Sequence, residues 1–145
     1  MTRFAIDTNI LVYAEGVGDT IKVERCLELI QRLPISSTVI PVQVLGELTR
    51  VLHAKAKWPY EAIKTSLATW SDTFRTADTT QNALSLAIEL GASHGISIWD
   101  AIIMAVARES SCQILLSEDL QDGFHWAGLT VVNPLRDDFF KLYKL

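Results

Sequence analysis

The sequence predicts an α/β fold with a mainly parallel sheet. Short apolar runs at Phe4-Ala5-Ile6, Ile114-Leu115-Leu116 and Leu129 to Val132 alternate with longer stretches whose apolar residues recur every three or four positions. That alternation is the mark of strands joined by crossover helices. The runs are apolar without a polar alternation, as strands covered on both faces require. Glycine and proline are scattered as punctuation, with no repeat, low-complexity segment or flexible linker. The 145 residues therefore read as one domain, residues 1–145, long enough to bury a core without a disulfide or metal staple.

Taken in order, Phe4-Ala5-Ile6 is a first strand and Asp7-Thr8-Asn9 the turn after it. Asp19 or Thr20 caps a helix with apolar positions Val23, Leu27, Leu29, Ile30 and Leu33, which Pro34 stops. Pro34 to Ser37 reads as a short second strand. A helix follows over roughly Ile40 to Lys55, with Val44, Leu45, Leu48, Val51 and Leu52 in one stripe. Pro59 opens another, with Ile63, Leu67 and Trp70 inward, and Phe74 to Asp78 reads as a strand. Thr79 or Thr80 caps a helix through Ala83, Leu84, Ala87, Ile88 and Leu90, loosened at its end by Gly91 and Gly95. Ala101 to Ala107 is apolar on all sides, so its helix should be central and buried. The strands Ile114 to Leu116 and Leu129 to Val132 come next, and Asn133-Pro134 breaks the chain before a short tail helix with Phe139, Phe140 and Leu142.

The chain carries 17 acids, 13 bases and a formal charge of −4. That balance excludes a basic nucleic-acid coat protein but not an enzyme that meets nucleic acid through a local patch. Cys26 and Cys112 lie far apart, with no second sulfur at metal-ligand spacing, and read as reduced thiols. The first residues reach Asp7 before any apolar run resembles an export signal, and no stretch approaches the about 20 apolar residues of a membrane span. A cytoplasmic protein with no membrane contact is expected.

In a parallel sheet the carboxyl ends of all strands share one edge, where ligands bind. Asp7 directly follows the first strand, Asp119 follows Ile114 to Leu116 by three residues, and Asp100 stands just before the buried helix that runs back from that edge. Glu47 lies two turns into its helix, about 40° beyond the apolar stripe, where it leans over the sheet. Each acid alone has a structural reading. Asp100 suits an N-cap, Asp7 an Asx turn, Glu47 a solvated helix flank, and Asp119 a turn or cap. Together they put four carboxylates on one rim, with Arg50 the nearest cation in sequence. Such crowding repels, and a hard divalent cation relieves it. Metal sites of this kind do phosphate chemistry. His53, His94 and His125 lack metal-ligand spacing, and there is no phosphate-binding glycine loop or nucleophile elbow.

Four segments carry a family resemblance: Phe4-Ala5-Ile6-Asp7-Thr8-Asn9-Ile10-Leu11-Val12-Tyr13-Ala14, Val44-Leu45-Gly46-Glu47-Leu48, Gly95-Ile96-Ser97-Ile98-Trp99-Asp100-Ala101 and Ile114-Leu115-Leu116-Ser117-Glu118-Asp119-Leu120. In this order and spacing the chain resembles the PIN-domain ribonucleases, and among them the VapC-type toxins of bacterial toxin–antitoxin pairs. The resemblance implies a three-layer α/β/α sandwich. It implies Asp7, Glu47, Asp100 and Asp119 as catalytic acids holding Mg²⁺ or Mn²⁺, with Asp7 and Asp100 as direct ligands and Glu47 and Asp119 binding directly or through water. Thr8, Asn9 and Ser117 would order the site, and Glu118 or Asp122 could share the fourth acid's role. The implied activity is endonucleolytic hydrolysis of RNA through a metal-activated water, by a homodimer that a cognate antitoxin inhibits.

Arg50, Lys55 and Lys57 form a basic run with no acid between Glu47 and Glu61, and are candidates for guiding RNA. Two rivals remain at this stage. A Mg²⁺-dependent phosphatase or phosphoryl-transfer domain also places an acid after its first strand, but the haloacid-dehalogenase pattern wants Asp where Asn9 stands. A catalytically inactive PIN-like binding module is opposed by the presence of all four acids.

Overall fold

β1 (Phe4–Ile6) has all three residues buried, and that places it in the interior of the sheet. In the computed structural model, which describes residues 1–145, it is joined by β2 (Thr38–Pro41), β3 (Arg75–Ala77), β4 (Ile114–Leu116), β5 (His125–Trp126) and β6 (Leu129–Val132). The order across the sheet is β3-β2-β1-β4-β6-β5. All pairings are parallel except β5 with β6. The registers Ala5 to Val39 and Ala5 to Leu115 align the carboxyl ends of the three central strands.

Seven helices surround the sheet: α1 (Thr8–Ala14), α2 (Thr20–Arg32), α3 (Val42–Ala54), α4 (Tyr60–Thr73), α5 (Gln81–His94), α6 (Ile98–Glu109) and α7 (Phe139–Tyr143). α1 packs on α2 and α3, and α3 on α4, while α5 pairs with α6, which lies against β2 and β6. The chain steps outward from β1 through β2 to β3, then crosses back past β1 to β4. Right-handed crossovers in opposite directions put the first four helices on one face and α5 with α6 on the other, the three layers expected. Residues Ala101 to Ala107 of α6 are all buried, and 35 buried residues form a single core. No helix is long and apolar enough to cross a membrane.

The structure corrects several element boundaries. Pro34 to Ser37 is not a strand. Ile35–Ser37 is a 3-10 turn closed by Ser37 N–H to the Pro34 carbonyl, and β2 begins at Thr38. The helix expected from Ile40 starts at Val42, because Ile40 and Pro41 still pair with β3. The turn after β1 is the start of α1, with Asp7 as its N-cap. Asp100 does not precede its helix. Ser97 is the N-cap and Asp100 sits in the first turn. The two-residue strand β5 is set by a tight turn at Ala127 and Gly128, both at positive φ (49° and 88°), the conformation of a type I′ hairpin.

Candidate active site

The order in which strands are added reverses between the parallel neighbours β1 and β4, and a crevice opens at the carboxyl ends of strands flanking such a switch point. Asp7 leaves β1 there and Ser117 leaves β4 there. Their strands are tied at that point by Asp7 N–H to the Leu116 carbonyl at 3.0 Å.

Asp7 is only 5% exposed. Its Oδ1 accepts from the Thr8 N–H at 2.7 Å, the N-cap bond of α1. Its Oδ2 accepts from Ser117 Oγ at 2.7 Å and from Asn9 Nδ2 at 3.2 Å. Asn9 also donates to Ser117 Oγ at 3.3 Å and accepts the Glu118 N–H at 3.0 Å, so one amide ties the α1 start to the β4 exit. Burial pushes the Asp7 carboxyl up to about 6. The bonds from Ser117 and Thr8 oppose the rise, and the charges of Asp100 and then Glu47 add to it. Three acids from β1, α3 and α6 thus meet in one electrostatic field.

Glu47 is half-buried and accepts from Gln43 Nε2 at 3.2 Å. The same nitrogen donates to the Trp99 carbonyl at 2.9 Å, which links α3 to the first turn of α6. There Ser97 Oγ accepts the Asp100 N–H at 3.3 Å and fixes the turn that carries Asp100. Asp119 is exposed and lies along a groove of about 410 Å³ shared with Thr8, Asn9, Tyr13, Glu47 and Arg50.

The two reserve acids are committed elsewhere. Glu118 accepts from the Tyr13 hydroxyl at 2.8 Å and pairs with Lys22 at 3.0 Å. Asp122 pairs with Arg136 at 3.1 Å and accepts the Asn133 N–H at 2.9 Å. Of the basic run, Arg50 and Lys55 line the groove, whereas Lys57 is exposed, lies outside it and holds a φ of 60°. Sequence reading missed Gln43. Its signal was the four-residue spacing to Glu47, which puts the two side chains on neighbouring turns of one helix face.

The donor set suits a hard divalent cation. All its charged donors are carboxylate oxygens, and the charges of Asp100 and Glu47 add to the rise that burial imposes on the Asp7 carboxyl. Thr8 Oγ1, beside Asp7, is buried without a partner, which leaves a polar atom for a further ligand. No three His, Cys, Asp or Glu side chains are arranged to hold an ion by themselves.

The sequence matches the family described as PIN domain over residues 4–124. No curated protein matches it significantly. Similar solved structures include a toxin–antitoxin complex from Klebsiella pneumoniae, at 20% identity and TM-score 0.69, covering 90% of this chain and 96% of that one. VapC20 from Mycobacterium tuberculosis, a sarcin–ricin loop cleaving toxin, is similar at 21% identity and TM-score 0.67, covering 80% and 91%. PAE2754 from Pyrobaculum aerophilum is similar at 15% identity and TM-score 0.63, covering 99% and 97%. These likenesses are of fold.

Proposed function

Because the chain belongs to the PIN-domain family, we propose that its carboxylate edge is the centre of a metal-dependent endoribonuclease, the toxin of a type II toxin–antitoxin pair. The observation that carries this reading is Asp7: a buried carboxylate, oriented by three hydrogen-bonded neighbours and sharing its field with Asp100 and Glu47, at the reversal point of the sheet. The likeness to a toxin–antitoxin complex and to an RNA-cleaving toxin supports it. So does Asn9, which stands where a phosphotransferase of the haloacid-dehalogenase kind wants an acid and is fully used as a strut between Asp7, Ser117 and Glu118.

Asp7 and Asp100 would hold Mg²⁺ or Mn²⁺, with Glu47 and Asp119 binding directly or through water, and the bound ion would polarise a phosphoryl oxygen and lower the pKa of a water. The chain's own residues supply the rest. Ser117, Asn9 and the Thr8 N–H fix the direction of the Asp7 carboxylate, so no reorganisation is needed when phosphate arrives. Gln43 holds Glu47 and the first turn of α6 in register, which keeps Asp100 at its distance from Asp7. Asp119, exposed on the same groove, is the acid that would take up the proton of the attacking water. Arg50 and Lys55 attract the RNA backbone along the same groove. We expect a cytoplasmic protein, and a homodimer that a cognate antitoxin holds inactive.

The test uses partner-free protein, a mixed RNA pool, and Mn²⁺ or Mg²⁺ with and without EDTA. Cleavage is expected only with metal, and Asp7→Asn and Asp100→Asn should each lower it by about a thousandfold or more while the fold survives. Wild-type rates from both variants would overturn the site.

A further inference from the structure

Large aromatic side chains gain much by burial, yet Trp99 is 64% exposed. The other three tryptophans, Trp58, Trp70 and Trp126, are buried or half-buried. Trp99 is not loose at its base. It belongs to the first turn of α6, and its carbonyl is held by Gln43 at 2.9 Å. The indole therefore stands in solvent on a fixed backbone, one residue before Asp100.

Beside it is an open pocket of about 450 Å³ lined by Trp99, Gln43, Gly46, Glu47 and Arg50. Gly46 is not small for lack of room, because a Cβ built there meets nothing within 4 Å. Its bare surface leaves the α3 wall low between Gln43 and Arg50. Gln43 must turn its NH₂ towards Glu47 and the Trp99 carbonyl, since both only accept, and its Oε1 receives no donor from the protein. Arg50 is exposed and makes no ion pair, although Glu47 lies one turn away. It borders this pocket and also the groove that carries Thr8, Asn9 and Asp119.

One aromatic face, one unpaired cation and one unused acceptor beside a carboxylate centre have the chemistry of a nucleotide site. A base stacks on any indole face, a phosphate needs a cation, and a base edge offers N–H donors. The lining apart from Trp99 is polar or glycine, which is wrong for an apolar protein helix. We propose that this pocket is a subsite for one unpaired nucleotide of single-stranded RNA next to the cleaved bond. Trp99 stacks its base, Arg50 holds a flanking phosphate, and Gln43 accepts from the base edge. The subsite makes the enzyme prefer unpaired RNA, because a base within a duplex is already stacked on both sides. This inference rests on the reading of the edge as a ribonuclease. The rival occupant is a second copy of the chain burying Trp99 together with Ile98, which is 37% exposed.

Two measurements test it. First, wild-type protein in EDTA is titrated with a short single-stranded RNA while tryptophan emission is followed, so that no cleavage is required. Emission should be quenched, and Trp99→Phe should remove most of the quench while binding persists. Second, KM and kcat for cleavage of the same RNA are measured with metal. Trp99→Ala should raise KM about tenfold with kcat changed less than about twofold, Trp99→Phe should restore most of the loss, and an abasic substrate should make wild type and Trp99→Ala alike. Arg50→Gln should flatten the salt dependence of binding by about one phosphate contact. A quench that survives Trp99→Phe, equal losses of Trp99→Ala on normal and abasic RNA, or a change from dimer to monomer in Trp99→Ala would each overturn the subsite. Failure of the ribonuclease reading shows differently, as wild-type protein that does not cut RNA with metal.

Discussion

Asp7 holds a charge where the fold would rather have none. Its carboxyl is raised from an ordinary value of 3.8 to about 6, mainly by burial. The native state therefore binds a proton that the unfolded chain has already released. The stability from that proton is complete below about pH 4 and is lost as pH rises through about 6, a difference of about 3 kcal/mol at neutral pH in the absence of metal. Asp7→Asn removes the charge and forfeits a hydrogen bond worth about 1 kcal/mol, because its NH₂ faces that of Asn9. In EDTA the variant should be more stable than wild type by about 2 kcal/mol near pH 8, with the advantage gone by about pH 4. Thermal melts across this range check it, and a variant less stable at the alkaline end would contradict it. Mn²⁺ should raise the melting temperature of wild type and leave Asp7→Asn unmoved. Asp7 and Asp100 were legible as partners because one follows a strand and the other stands at the start of a helix at one sheet edge, and Glu47 because it flanks the apolar stripe of the helix beside them. The occupation of Glu118 by Tyr13 and Lys22 was not legible, since those three residues meet only through the packing of α1, α2 and the β4 exit.

At the level of elements, α6 was the most readable helix and its start the least. Seven apolar residues in succession fix a buried helix, whereas the cap depends on which of several polar residues bonds back. The Ser97 hydroxyl makes that bond, so Asp100 sits inside the first turn and is aimed by it. Ser97→Ala should cost about 1 kcal/mol of stability. It should also lower cleavage severalfold at temperatures where circular dichroism shows the chain still folded, and Ser97→Thr should restore both. Unchanged cleavage would mean that Asp100 is positioned without the cap. α1 escaped the sequence reading for a related reason. It is seven residues long, and Thr8, Ile10 and Val12 are β-branched, so neither length nor propensity announces a helix. Its stability comes from the Asp7 cap and from burying Ile10 and Leu11. The 3-10 turn at Ile35–Ser37 was misread as a strand because Thr38 Oγ1 returns to the Pro34 carbonyl at 2.7 Å, a local closure without sequence period.

For the molecule as a whole, the alternation of apolar runs foretold the parallel sheet, but strand order was out of reach. Order is decided by which crossovers pack, and that sets the site, because only the reversal between β1 and β4 brings Asp7 to Ser117. The formal charge of −4 fits the same picture: setting aside the four acids of the edge leaves as many acids as bases. The two thiols, neither on that edge, offer a view of how the layers part. Cys26 lies on α2 and Cys112 precedes β4. Both are free and buried, and burial raises them to about 12 and about 11. Neither can react while the layers stay closed, so each is a clock that starts only when its own neighbourhood opens. Under a thiol reagent, equal rates that rise together with denaturant would show the two halves of the chain coming apart as one unit. A faster Cys26, slowed when Mn²⁺ is added, would show instead that the helices around the carboxylates open first and that the metal holds the gate shut from within.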